Sequence, residues 1–305
     1  MTKIEQPRPR ILEQFQQERQ SREANEEAKD SEFKKRLEDH SRRIERIKRA
    51  KKFERVESRP LDLLAVGDSW FNYPFPFDYG IVADSQLGSM GSPHPVILDL
   101  SWPGEASTTV LGLKNQAKII PALQGQWLNG NGPDAILVSM GGDDIAGDQY
   151  IIYIDYGGVG GVSDRFQGVL DLIAASYENL FELRSEFAPN VPIFAHCYDY
   201  ALPTGIPAAP FVGPWLKPSL DFALYNYSQG VQIVKEMIDK YHDLLNGMAS
   251  VPDNCFHLID TRNIIDPDTS YPTGWQNEIH PYMPGFTALA LEFLNALHNH
   301  FPGRI

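Results

Sequence analysis

Cysteine is scarce in this sequence: its 305 residues contain two, Cys197 and Cys255, which excludes a disulfide framework. Both lie in apolar, strand-like runs, where a small buried thiol is the usual role. No run of about 18 apolar residues occurs, so a membrane span is not expected. The N-terminal residues lack the apolar centre of a secretory signal, and a cytoplasmic location is therefore expected.

Glycine and proline are absent from residues 11–57, which are rich in helix-forming residues. Residues 1–59 carry 18 Lys and Arg against 13 Asp and Glu, whereas the remainder carries 9 against 27. This contrast predicts a charged helical extension over residues 1–59 and a separate domain over residues 60–305. The apolar residues of the extension do not form sustained heptads, so a long, solvent-exposed helix is expected.

Contact of this helix with a partner is a second interpretation. Its basic stretch from Arg42 to Arg55 suits an acidic protein surface, either of another protein or of the acidic domain. Residues 11–57 are therefore a candidate for a protein contact or for self-association. Nucleic acid or membrane contact is not favoured, because no aromatic residues alternate with the charges.

Short apolar runs alternate with longer amphipathic stretches from residue 61 onwards. Such runs indicate a parallel sheet with helices on both faces, and hence a three-layer α/β/α domain of about five strands. No Walker lysine or Rossmann spacing accompanies the Gly-rich segment 156–162, so we assign it no phosphate-binding role and expect no cofactor. Strands are predicted at 61–67, 95–100, 134–140, 191–197 and 255–260, and helices near 107–123, 164–187, 218–248 and 284–299.

Polar residues follow the first two predicted strands, at the edge where ligands bind in such sheets. Gly67-Asp68-Ser69 ends the first strand at a tight turn that would expose Ser69 to a substrate. Helix capping is the ordinary role of Asp and Ser at such a position. Gly104 follows the second strand, where a glycine lets the backbone approach a ligand.

Two further blocks carry groups suited to chemistry. Gly141-Gly142-Asp143-Asp144 ends the third strand, where two carboxylates are poor core material. Asn277 and His280 lie three residues apart in a polar loop, so that one turn brings their side chains together. Pro281 then favours the start of the last helix.

The order and spacing of the four blocks resemble the GDSL-type or SGNH hydrolases over about residues 61–300. The resemblance implies a flavodoxin-like fold and ester hydrolysis without a metal. Ser69 would be the nucleophile and His280 its general base. The N–H groups of Ser69 and Gly104 would bind the oxyanion, helped by the third block, which contains Gly142, Asp143 and Asp144.

Asp143 departs from the family pattern, which has an asparagine in the oxyanion hole. An ionised carboxylate there would oppose the oxyanion by roughly 4 kcal/mol at 4 Å. A buried, protonated Asp143 could instead donate a hydrogen bond. The sequence leaves both states open.

Asn277 stands where the family has its triad aspartate. Its side-chain oxygen can still accept a hydrogen bond from the imidazole, as in Cys-His-Asn enzymes. A replacement acid or an unassisted Ser-His dyad are the alternatives, as is a site with little catalysis. The candidate acids are Glu278, Asp260 and Asp266.

Aromatic residues accompany three of the blocks. Residues 70–77 follow Ser69 directly, either as a loop over the core or as the lining of an acyl or sugar pocket. Trp70, Trp102 and Trp275 could together form one aromatic wall.

The sequence therefore predicts a serine hydrolase that cleaves an acyl or acetyl ester of a small molecule, glycan or lipid. The alternative is a catalytically weakened SGNH-like domain that binds an ester or glycan and assembles through its N-terminal helix. A metallophosphoesterase is a third interpretation, since Asp68, Asp143, Asp144 and His280 could approach one metal. The serine, and the lack of further histidines near the strand ends, argue against it.

Overall fold

A parallel five-stranded sheet forms the centre of the protein, as seen in a computed structural model that describes residues 9–51, 59–73, 79–126 and 132–305. The strand order is β2-β1-β3-β4-β5, and every neighbouring pair is parallel. The predicted α/β architecture is thereby confirmed. The strands are β1 Asp62–Gly67, β2 Val96–Asp99, β3 Ala135–Ser139, β4 Ile193–His196 and β5 Phe256–Ile259.

Helices cover the sheet, which explains the apolar runs. Every residue of the central strands β1, β3 and β4 is buried, whereas the edge strands β2 and β5 are partly exposed. Within the described ranges the α-helices are α1 Pro9–Lys51, α2 Ser107–Val110, α3 Leu113–Leu123, α4 Gly142–Ile145, α5 Phe166–Phe187, α6 Lys217–Phe222, α7 Tyr227–Ala249 and α8 Met283–His300. No helix in these ranges is long and apolar enough to cross a bilayer.

Two of the predicted helices are each divided in two. The stretch 107–123 breaks at Gly112, which precedes α3. The stretch 218–248 breaks before Asn226, whose side chain accepts the N–H of Gln229 while Gln229 accepts the N–H of Asn226, both at 3.0 Å. This capping box starts a new helix inside a continuous helical pattern.

The N-terminal helix α1 is confirmed, and one of its faces lies against the acidic domain. His40 and Asp62 are both buried and 2.8 Å apart, Arg36 donates to Asp99 at 2.9 Å, and Lys29 lies 2.8 Å from Glu105. The expectation of a solvent-exposed helix therefore holds for the opposite face alone. Residues 52–58, next to the predicted boundary between extension and domain, lie outside the described residues.

Candidate active site

The corner after β1 depends on close packing between neighbouring strands. A Cβ on Gly67 would lie 2.3 Å from the backbone oxygen of Ser139, so no larger residue fits there. Asp68 donates its backbone N–H to the same oxygen at 3.0 Å, and the chain then turns. Ser69 thus lies beyond the carboxyl end of β1, at the edge of the sheet where ligands bind.

His280 lies beside Ser69. The Ser69 Oγ and the His280 Nε2 are 2.7 Å apart, within hydrogen-bond reach of a nucleophile and its base. The imidazole is 4% exposed, and burial lowers the pKa of His280 to about 3. The ring is therefore neutral at pH 7 and able to accept the serine proton.

Asn277 fixes the orientation of that ring. Its Oδ1 accepts the backbone N–H groups of Ile279 at 3.0 Å and His280 at 2.9 Å, which identifies this atom as the amide oxygen. The same Oδ1 lies 3.1 Å from the His280 Nδ1, while Nδ2 donates to the Tyr73 hydroxyl at 2.9 Å. Nδ1 therefore carries the ring proton and Nε2 is left to face Ser69.

None of the three candidate replacement acids has a hydrogen bond or ion pair with His280 among the described residues. The fully buried Glu278 accepts four backbone N–H groups, from Gly205, Trp215, Leu216 and Lys217, and so holds the loop before α6. Asp260 pairs with Arg262 at 2.8 Å, and this contact lowers the pKa of Asp260 to about 2. Asp266 is exposed. The carboxamide of Asn277, rather than a carboxylate, contacts the imidazole.

Two backbone donors belong to residues that line the space beside His280. The N–H groups of Ser69 and Gly104 have no acceptor among the described residues. Gly104 has φ +78°, and nothing lies within 4 Å of the position that a Cβ would occupy. By contrast, Gly142 donates its N–H to the Tyr198 hydroxyl at 2.9 Å and is not available to a ligand.

The paired carboxylates after β3 differ in their surroundings. Asp144 accepts the N–H of Ser107 at 2.7 Å and its Oγ–H at 2.9 Å, which ties the Gly104 loop to α4. The Asp143 carboxyl has no hydrogen-bond partner among the described residues and faces the space beside Ser69. Burial, followed by the charges of Asp68, Asp144 and Glu105, raises the pKa of Asp143 to about 8.

A buried hydrogen-bond network packs against the Gly67-Asp68-Ser69 corner, and the sequence did not predict it. Tyr198 donates its hydroxyl to the Asp68 carboxylate, which also accepts the Ser139 hydroxyl at 2.6 Å. His196 accepts the N–H of Tyr198 through Nδ1 at 3.1 Å, so its Nε2–H donates to the Ser139 Oγ at 2.9 Å. Burial raises the pKa of Asp68 to about 6. The polar residues after the fourth predicted strand were the feature of the sequence that could have indicated this network.

The three tryptophans do not form one wall. Trp275 is 1% exposed within the core, and Trp102 lies under α1, where the Lys29 ammonium is 5.5 Å from its ring. Trp70 is buried and donates to the Ile279 carbonyl at 3.1 Å. Tyr73 and Trp215 lie nearest to His280, with ring centroids 4.3 and 5.8 Å away. Residues 74–78 of the aromatic stretch lie outside the described residues.

Two spaces open from Ser69 and share Asp143 and Ile279 in their walls. One is a cleft of about 180 Å³ that also contacts His280 and Gly104. The other is a smaller, largely apolar cavity of about 60 Å³ that extends towards α7.

The carboxylates near Ser69 do not converge on one point. Asp68 and Asp144 are bound by protein donors, as described above. In the part of the chain that the structure describes, no cluster of three His, Cys, Asp or Glu side chains could hold a metal ion. This arrangement gives no support to the metallophosphoesterase interpretation.

Solved structures resemble this chain at low sequence identity. The lipase Lip_vut3 from a goat rumen metagenome aligns with a TM-score of 0.50 and 15% identity, over 77% of this chain and 97% of that one. An extracellular lipase from Streptomyces rimosus aligns with a TM-score of 0.50 and 14% identity, over 77% of this chain and 99% of that one. The chain shares the fold of these two lipases. The resemblance drawn from the four sequence blocks is thereby confirmed at the level of the fold.

Comparisons of sequence show no family for this chain. No family model matches the chain, and no curated protein matches it. The assignment of chemical roles within the SGNH fold therefore depends on the geometry around Ser69.

Proposed function

We propose that the chain is a serine ester hydrolase. The observation that carries the proposal is the 2.7 Å contact between the Ser69 Oγ and the His280 Nε2, in a cleft that also contains two free backbone N–H groups. A nucleophile, a neutral base and oxyanion donors are the parts that acyl transfer requires.

The reaction follows from these positions. The Ser69 Oγ forms a bond to the ester carbonyl carbon as its proton passes to the His280 Nε2, and the carbonyl electron pair moves to the oxygen. The Ser69 and Gly104 N–H groups, with a protonated Asp143, donate to that oxyanion. The carbon–oxygen bond to the alcohol then breaks, and the alcohol oxygen takes the proton from Nε2. Water reverses these steps to release the acid and restore Ser69.

Asn277 acts as a positioning residue in this scheme. It sets the tautomer that catalysis requires, because its oxygen accepts from Nδ1–H. It supplies no negative charge to stabilise the imidazolium, so slower turnover is expected than with a carboxylate at this position. In a serine protease the Asp-to-Asn change costs about 10⁴ in turnover, although much of that loss comes from the wrong tautomer.

A fluorophosphonate probe tests the proposal. Labelling of Ser69 that disappears in Ser69→Ala and falls strongly in His280→Ala supports an activated nucleophile. Ser85→Ala, which alters an exposed serine that lines neither the cleft nor the cavity, serves as the matched control. Absence of labelling across pH 5–9 in the folded protein contradicts the proposal and favours an ester- or glycan-binding domain.

A further inference from the structure

The smaller cavity beside Ser69 has an apolar wall. It is built by Ile145 of α4, by Leu216 before α6, and by Val234, Met237 and Ile238 of α7. Each of these side chains is buried. No Lys or Arg is among the described residues that line the cavity, so nothing there would neutralise an anionic ligand. A neutral, apolar group is the occupant that such a wall favours.

The polar groups of this cavity are mostly committed. Asp199 accepts backbone N–H groups from Tyr200 and from residues 263–265 at 2.7–2.8 Å. Asp68 and Tyr198 bind one another. The buried Tyr150 hydroxyl has no hydrogen-bond partner among the described residues, and the Asp143 side chain lines both the cavity and the cleft. Asp143 lies at the junction with the cleft, where the carbonyl oxygen of an ester would be bound.

The position of His280 decides which half of an ester enters the cavity. His280 must give its proton to the leaving alcohol oxygen, so that oxygen has to lie within hydrogen-bond reach of Nε2. His280 lines the open cleft and does not line the cavity. With the alcohol in the cleft and the oxyanion on the Ser69 and Gly104 N–H groups, the acyl substituent is directed towards the cavity.

We propose that the cavity is the acyl-chain subsite and that it selects short, neutral acyl groups, a proposal that rests on the proposed hydrolase function. The cavity measures about 60 Å³ against about 180 Å³ for the cleft, so it suits the smaller of the two substituents of the ester. The cleft of about 180 Å³, lined by Tyr73 and Trp215, receives the larger alcohol part. The substrate class is therefore a short-chain acyl ester of a bulkier alcohol.

Two matched substitutions test this assignment. Ala201→Leu adds the same three carbons to the cavity wall that Ala208→Leu adds to the cleft wall. The assay measures kcat/KM for p-nitrophenyl esters from acetate to dodecanoate, together with the rate of fluorophosphonate labelling of Ser69. We expect an optimum between butanoate and hexanoate and at least a tenfold loss at decanoate. Ala201→Leu should shift the optimum towards acetate, whereas Ala208→Leu should leave the chain-length profile unchanged.

Met237→Ala supplies the opposite change by enlarging the cavity, and should raise the relative rate for octanoate at least threefold. A profile that is flat with chain length, or one that responds to Ala208→Leu and not to Ala201→Leu, overturns the subsite assignment while leaving the hydrolase intact. Lack of Ser69 labelling and of ester turnover in the folded wild type overturns the proposed function, and the acyl subsite falls with it.

Discussion

The amide oxygen of Asn277 lies 3.1 Å from the His280 Nδ1 and selects the tautomer in which Nε2 can accept a proton. Two backbone N–H groups hold this oxygen in place, so the amide cannot turn without losing both bonds. A triad without its carboxylate can therefore keep its geometry. What it lacks is the negative charge that would stabilise the imidazolium.

Asn277→Asp should increase activity. A carboxylate would keep the bonds that Oδ1 now accepts, and its second oxygen would face the Tyr73 hydroxyl, a group that can donate as well as accept. The added charge raises the pKa of His280 and favours proton transfer to it. We expect kcat/KM at pH 7 to rise at least tenfold, with about 10⁴ as the upper bound. Asn277→Ala is the control and should lower kcat/KM. Reduced activity in a folded Asn277→Asp protein would contradict this account.

The pH profile depends on two groups with opposite roles. The His280 imidazole is neutral above its pKa of about 3, so activity should persist at pH 5, where an ordinary histidine base is protonated. Asp143 loses its proton around pH 8, where its charge would oppose the oxyanion. We expect kcat/KM to fall above about pH 8 in the wild type, and Asp143→Asn to remove that fall while keeping activity at pH 7. Loss of all activity in Asp143→Asn would show that Asp143 has a different role.

The free energy of unfolding should also depend on the ionisation of Asp143. The pKa of Asp143 is higher in the folded protein than its ordinary value of 3.8, so the folded state binds more protons between about pH 4 and pH 8. Its contribution to the free energy of unfolding is therefore most favourable at low pH and declines as the pH rises through this window. Urea unfolding at pH 5 and pH 8 should show the gain from Asp143→Asn growing with pH. A gain that is equal at both values would exclude an ionisation at this residue.

Tyr198→Phe tests the buried network beneath the nucleophile. The change removes a donor to Asp68 and leaves the Gly142 N–H without its acceptor. An unpaired buried group costs about 1–3 kcal/mol, and we expect a loss of that size in the free energy of unfolding at pH 7. The loss should be smaller at pH 4, because Asp68, whose pKa is about 6, is protonated there and needs the donor less. Tyr200→Phe, which removes one bond to the partly exposed Asp239, is the control and should cost less.

The sheet could be predicted from sequence because β1, β3 and β4 are buried on both faces, and this burial requires continuous apolar runs. The nearness of Ser69 and His280 followed from parallel topology together with the family resemblance. The network of His196, Ser139 and Tyr198 could not be read in the same way. Ser139 ends β3, His196 ends β4 and Tyr198 follows β4, so the members are distant in sequence, and each bond depends on which side chain faces the corner.

The role of Glu278 could not be predicted from the sequence either. Sequence proximity to His280 made it a candidate acid. Its carboxylate instead points to the backbone N–H groups of a loop that is distant in sequence. Four backbone N–H groups converge on it, which is a structural use of a fully buried carboxyl group. Adjacent positions in a loop can therefore face different elements, and spacing alone does not separate them.

Glu278→Gln should lower the free energy of unfolding and have little effect on the reactivity of Ser69. The amide offers one oxygen where the carboxylate offers two, and its NH₂ group faces backbone donors. We expect the free energy of unfolding to fall by about 2–4 kcal/mol, measured by urea denaturation. In the remaining folded protein, the pH dependence of Ser69 labelling should match the wild type. A shift in the low-pH part of the labelling profile would instead show that Glu278 affects the protonation of His280.

Helix α1 should detach when its pairing with the domain is broken. Arg36 donates to the Asp99 carboxylate at 2.9 Å and to the Ser101 carbonyl at 3.1 Å, and its side chain is 18% exposed. Arg49 is 81% exposed and pairs within the helix with Glu45, so its removal should matter little. We expect Arg36→Ala to increase hydrogen exchange across residues 29–44 at least tenfold relative to Arg49→Ala, with more in high salt, because screening weakens the remaining ion pairs. Unchanged exchange in Arg36→Ala would mean that the remaining contacts, which include the buried His40–Asp62 pair and the Lys29–Glu105 pair, are sufficient to hold the helix.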